Sequence, residues 1–214
     1  MKPGLFQYAI IALVLTFGAA CMSTASYHTA QPIEPGTSQV GVAMEAEFYR
    51  IEGETARLIA HPRVNGRYGI DEQLDIGVTA GHFGTSGDIN FMVHGDDAVA
   101  VSLNPRVGVS NMMISEGSDS ERETSVSLVA GLLFDIAMGD AMTMTLGAKP
   151  GYIRVTESFG GGSQSESDTF IAGSVGMKID LDESSHLFPE VNVVRFSEDG
   201  ESMLQITAGI GLGF

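Results

Sequence analysis

The sequence has no tryptophan, one cysteine, seven prolines, and only 11 Lys and Arg against 27 Asp and Glu. Each scarcity excludes something. A lone cysteine permits no disulfide within the chain, so a disulfide-framed domain is ruled out. A formal charge of −16 offers no cationic face to phosphates, so nucleic acid is not expected as a partner. No apolar run reaches the roughly 18 residues of a spanning helix, and no window after Ser38 repeats its apolar residues at helical spacing. What remains is rich in glycine, 27 of 214 residues, and low in charge, 18%, a composition suited to closely packed strands.

The N-terminus, MKPGLFQYAIIALVLTFGAACMSTAS, has one Lys, a short apolar run from Tyr8 to Phe17 and then small residues. This is the order of an export signal, and residues 1–20 are expected to be removed. Cleavage after Ala20 or after Ala25 both satisfy a small-residue rule. Cys21, directly after Gly18-Ala19-Ala20, resembles the cysteine of a bacterial lipobox, which becomes the lipidated first residue of the mature protein. The pattern usually has Leu where this chain has Gly18, so ordinary cleavage stays open beside lipidation. Met22 in place of Asp implies, under that resemblance, sorting to the outer membrane. Residues 22–37, polar, proline-containing and without periodicity, read as a flexible linker.

From Ser38 the chain alternates to its end. Ten segments carry the period of two that marks strands: about 39–50, 56–68, 73–83, 88–94, 98–110, 124–137, 142–154, 168–180, 187–196 and 203–214. Their lengths suit tilted strands crossing a bilayer. The connections GIDE, GDD, MGDA and LDESSH are short, while NMMISEGSDSERE and TESFGGGSQSES, on the other side, read as long acidic surface loops. Short turns at one end and longer loops at the other are the pattern of a membrane barrel, and an even strand number leaves both termini on the short-turn, periplasmic side. The expected fold is all-β, an antiparallel up-and-down transmembrane barrel over residues 38–214, of about ten strands with eight as the alternative.

One face of each strand is aliphatic and almost uncharged. The other mixes Gly, Ala, Ser and Thr with Glu45, Glu47, Arg63, Arg67, Asp75, Arg106, Lys149, Lys178 and Glu190. Small residues with both signs of charge fit a narrow lumen closed by an internal ion-pair network better than a solvated face, which is how a soluble lipocalin-like barrel would use them.

Two stretches carry a family likeness. GRYGIDEQLDIGVTAG (Gly66–Gly81) resembles a hairpin of bacterial outer-membrane β-barrel proteins, and the last strand, MLQITAGIGLGF, is similar to their C-terminal assembly signal, with Ile210, Leu212 and Phe214 at its alternate positions. The resemblance implies insertion into the bacterial outer membrane by the barrel-assembly machinery, as a monomer surrounded by outer-membrane lipid. The aromatic girdles of that family would fall here to Phe48, Tyr49, Tyr68, Phe83, Phe134, Tyr152, Phe188, Phe196 and Phe214.

Barrels of eight to ten strands are filled by their own side chains, which disfavours a general porin. A non-enzymatic barrel with a structural or surface-interaction role is expected, with no cofactor and no metal. The alternatives are a narrow pore for small solutes and an outer-membrane hydrolase. For the latter, HFGTSGD supplies the local candidates His82, Ser86 and Asp88, although Ser and Asp are also ordinary turn residues.

Overall fold

A computed structural model describes residues 23–50, 57–81, 84–116, 119–159, 162–197 and 202–213. Cys21, His82 and Phe214 lie outside them. Among the described residues the strands are β1 (Ser38–Arg50), β2 (Arg57–Asp71), β3 (Leu74–Gly81), β4 (Gly84–Gly95), β5 (Val99–Glu116), β6 (Asp119–Ala137), β7 (Met142–Phe159), β8 (Gly162–Asp180), β9 (Ser185–Phe196) and β10 (Ser202–Gly213). Each pairs antiparallel with its sequence neighbour. β10 closes the ring on β1, with a register from Gln39 opposite Gly213 to Arg50 opposite Ser202. The architecture is a closed ten-stranded barrel, which settles the choice between eight strands and ten.

Closure leaves no strand edge unpaired, the condition for placing backbone in hydrocarbon. The alternation along each strand is inverted relative to a soluble barrel. Val42, Val78, Ile171 and Val193 are each more than half exposed on the outer wall, while Glu45, Asp75, Asn192 and Gln205 inside are at most 1% exposed. This disposition sets aside the lipocalin-like alternative. The outward aliphatic belt carries Tyr68, Phe134 and Tyr152. Phe188, expected in a girdle, is instead buried inside at 3%, and Phe196 packs against a buried interior cluster.

The turns at the end bearing Ser38 and Gly213 are short because aspartates fold the chain back locally. Asp71 Oδ1 accepts from the Gln73 amide at 2.8 Å, and Asp96 Oδ1 from the amides of Ala98 (2.8 Å) and Val99 (2.9 Å). Asp182 does the same with Ser184 and Ser185, each amide at 2.8 Å. Hydrogen bonds from Ser185 and Ser184 hold the Asp182 carboxyl down at about 2.

Two expectations need correction. The long outer loops are strand: β5 and β6 stay paired from Asn111 opposite Thr124 to Glu116 opposite Asp119, and β7 and β8 to Phe159 opposite Gly162. These ribbons carry no apolar stripe because they have no lipid to face. The main-chain ladder forms without one, which is why hydrophobic alternation misses them. The second correction concerns the linker. Residues 23–34 enter the lumen, where Thr24, Ala25, Ser26, Tyr27, His28 and Ala30 are all at most 5% exposed. At the base, Gly36 adopts φ +77° and its amide bonds to the Gly69 carbonyl at 2.9 Å, turning the chain from the lumen into β1.

Candidate functional site

Inward positions on neighbouring strands fall at matched heights because the registers are continuous, so charges far apart in sequence meet across the ladder. Glu45 on β1 lies opposite His61 on β2, and Arg63 Nε reaches back to Glu45 Oε2 at 3.1 Å. Gln205 on β10 donates to Glu45 and, at 3.0 Å, to Glu47. Lower in the lumen Arg67 is shared: Nε donates to Asp75 at 3.0 Å and Nη1 to Asp88 at 2.8 Å, while Asn104 also donates to Asp88 at 3.0 Å. On the far wall Lys149 Nζ donates to Glu190 (2.7 Å) and Asn192 (3.0 Å).

Of the nine residues read from sequence as a lumen network, eight are buried inside the barrel. Lys178 stands apart: its ammonium group pairs with Asp180 at 2.9 Å beside the β8–β9 turn, with about a third of the side chain exposed. Arg106 makes its described hydrogen bonds to main-chain carbonyls, Ala25 at 2.6 Å and Ser23 at 3.4 Å.

Sequence reasoning misses several members. It marks Asp88 only as a turn or rim residue, yet Asp88 turns inward to Arg67. Asp135 accepts from Thr145 at 2.7 Å and from the Gln31 amide at 3.0 Å. Tyr27 donates its hydroxyl to Glu45 from the segment read as linker. A signal is present for Asp88 and Asp135, since each occupies an alternate position on a strand whose other face is aliphatic. None is present for Tyr27, because residues 23–34 have no period.

The lumen also holds an apolar cluster of Val129, Ile153, Phe170, Ala172, Val194 and Met203, in the outer half on the β6–β10 side. Phe170 lies over Gly151, where a Cβ would collide with its ring.

Glu45, Glu47 and His61 place ligand atoms within 4.8 Å of one another, a set that can be compared with a metal centre. Donors already against these carboxylates include Arg63, Gln205 and the Tyr27 hydroxyl, so the arrangement holds an ion pair together with amide and hydroxyl hydrogen bonds. Of the rim hydrolase candidates, Asp88 is occupied by Arg67 and Asn104, and His82 lies outside the described residues.

No protein-family model and no curated protein matches the sequence. Solved structures do match in shape. The outer-membrane protease OmpT from Escherichia coli aligns over 83% of this chain and 96% of its own, at 8% identity and TM-score 0.52. Ail, the attachment invasion locus protein of Yersinia pestis, covers 84% of this chain and 99% of its own at 13% identity and TM-score 0.46. Neisserial surface protein A gives the same coverages at 10% identity and TM-score 0.45. The chain has the fold of the bacterial outer-membrane β-barrels.

Proposed function

We propose that the protein is a non-enzymatic outer-membrane barrel, closed at rest, whose charged and side-chain-filled lumen makes a rigid base for the acidic outer ribbons β5–β6 and β7–β8. Those ribbons serve as its surface-interaction element. The observation that carries this reading is the inverted burial: aliphatic residues on the outer wall, and paired charges with a chain segment inside. Wide water channels need more strands than ten, and here the space is taken. Assembly as a monomer by the barrel-assembly machinery, through Ile210, Leu212 and Phe214, belongs to the same proposal.

The test combines membrane fractionation with an epitope placed between Gly117 and Ser118. The protein should fractionate with the outer membrane, show heat-modifiable gel migration, bind antibody on intact cells and conduct almost no current in planar bilayers. Recovery in the detergent-free periplasm, or an epitope hidden on intact cells, would overturn it.

A further inference from the structure

Residues 23–34 belong to no strand, yet side chains from around the ring hold them, most of the hydrogen bonds falling on their main chain while the Thr24 hydroxyl donates to Gln205 (2.8 Å) and the Tyr27 hydroxyl to Glu45. The amides of Thr24, Ser26, Gln31 and Ile33 donate to Gln205 (3.1 Å), Glu190 (2.7 Å), Asp135 (3.0 Å) and Asp75 (3.1 Å). The carbonyls of Thr24, Ala25 and Ala30 accept from Lys149 (2.6 Å), Arg106 (2.6 Å) and Asn90 (3.2 Å). Acceptors thus meet N–H groups and donors meet C=O groups along one non-strand stretch that bends at His28, Ala30 and Gln31 and is left-handed at Tyr27 (φ +57°). Inside the wall, Glu45, Glu47, Asp75, Asp88, Asp135 and Glu190 outnumber Arg63, Arg67, Arg106 and Lys149, and main-chain amides make up the missing donors.

We propose that the lumen network is a binding site for a polypeptide main chain, that residues 23–34 are its resident occupant, and that their withdrawal converts the closed barrel into a narrow cation-selective conduit. The segment separates two spaces. A cavity of about 500 Å³ at the short-turn end is lined by His28, Pro32, Lys178, Asp182 and His186. A smaller polar one toward the outer end is lined by Ser23, Ser86, Arg106, Ser110 and Ser125. The occupant contributes to both linings, and because it belongs to no strand, moving it leaves the barrel ladder intact. The excess of carboxylates sets the sign of the ions admitted. The inference rests on the membrane-barrel reading.

The experiment uses the full chain with Cys21→Ser. Ala30→Cys with Ala100→Cys pairs two residues of one packed cluster and should form a disulfide in the folded protein. Ser26→Pro with Gln31→Pro removes the two amides taken by Glu190 and Asp135 while allowing an extended path. Asp135→Asn with Glu190→Gln weakens the same two bonds from the wall. In planar bilayers under a KCl gradient the parent should be nearly silent. Either loosened form should conduct at least tenfold more, with a cation-selective reversal potential. Adding the oxidised bridge between the two introduced cysteines should close it, and a reductant should reopen it. Absence of the crosslink in the otherwise unaltered folded barrel overturns the proposal. So does a loosened variant that migrates as a folded barrel and conducts no more than the parent. Failure of the membrane-barrel reading shows differently, as loss of membrane fractionation and of heat-modifiable migration in every form.

Discussion

Lys149 on β7 and Glu190 on β9 meet at 2.7 Å across the intervening β8, and the same two side chains grip the chain inside the barrel. Lys149 takes the Thr24 carbonyl and Glu190 the Ser26 amide. Both side chains are nearly fully buried, so removing one partner leaves an uncompensated charge, at a cost of about 3 kcal/mol. Lys149→Met should therefore lower the urea midpoint sharply, and adding Glu190→Gln should recover part of the loss. With no tryptophan in the chain, circular dichroism and gel migration are the readouts. Equal stability of Lys149→Met and the parent would show that the pair contributes nothing.

Val191 lies on the outer wall between Val175 and Ile206 in register, near the middle of the aliphatic belt. An arginine there would meet lipid, at a cost of roughly 2–4 kcal/mol at the bilayer midplane. Val191→Arg should reduce the folded fraction in lipid vesicles, whereas Gln164→Arg, exposed on the outer ribbon, should fold normally. A Val191→Arg protein that folds as well as the control would mean the belt does not face hydrocarbon.

The barrel was legible because period two, low charge and turn aspartates all act locally. The lumen was legible only in part. Arg63, Arg67 and Lys149 announced themselves as cations on otherwise small-residue faces, but their partners depend on register across strands, which no single strand reveals. The alternation of Val126, Leu128, Leu132 and Phe134 on the outer face puts Val129 and Leu133 inward, but it does not reveal the apolar neighbours they meet there, which come from other strands. Residues 23–34 carry no periodic signal at all, because their fit depends on main-chain amides and carbonyls that every sequence possesses.

Gly69 marks where the inner segment leaves the lumen. A Cβ there would run into the carbonyl oxygens of Glu34 and Ile33, which are backbone and cannot swing aside. Gly69→Val should lift the base of the segment without breaking β2. In a Cys21→Ser, Ala30→Cys background, this should speed labelling of position 30, otherwise fully buried, by a small water-soluble thiol reagent several-fold. Unchanged labelling would place the segment's hold elsewhere.

Phe214 follows Gly213, whose amide bonds to the Ser184 carbonyl at 2.6 Å and whose register partner is Gln39 at the barrel seam. Among the described residues the ladder of β10 runs to Gly213. If the terminal aromatic is an assembly signal, deleting Phe214 should leave refolding into detergent almost unchanged while cutting the amount inserted in cells severalfold. A deletion that impairs both equally would make it a packing residue only.

Ser23 is held inside the lumen by Arg106 and stands two residues from Cys21. Extended chain spans about 3.3–3.6 Å per residue, so a lipid on Cys21 could begin no more than ~7 Å from Ser23. Acyl chains need hydrocarbon, and the neighbours of Ser23 are Arg63, Arg106 and a row of serines. Acylation of Cys21 and occupation of the lumen by Ser23–Ala25 are therefore expected to exclude one another. Fatty-acid labelling that is lost on Cys21→Ser would report acylation, and crosslinking of Ala30→Cys with Ala100→Cys would report occupancy. An acylated fraction should fail to crosslink, and an unacylated fraction should crosslink fully. Efficient crosslinking within the acylated fraction would show that lipid and inner segment coexist and would overturn this exclusion.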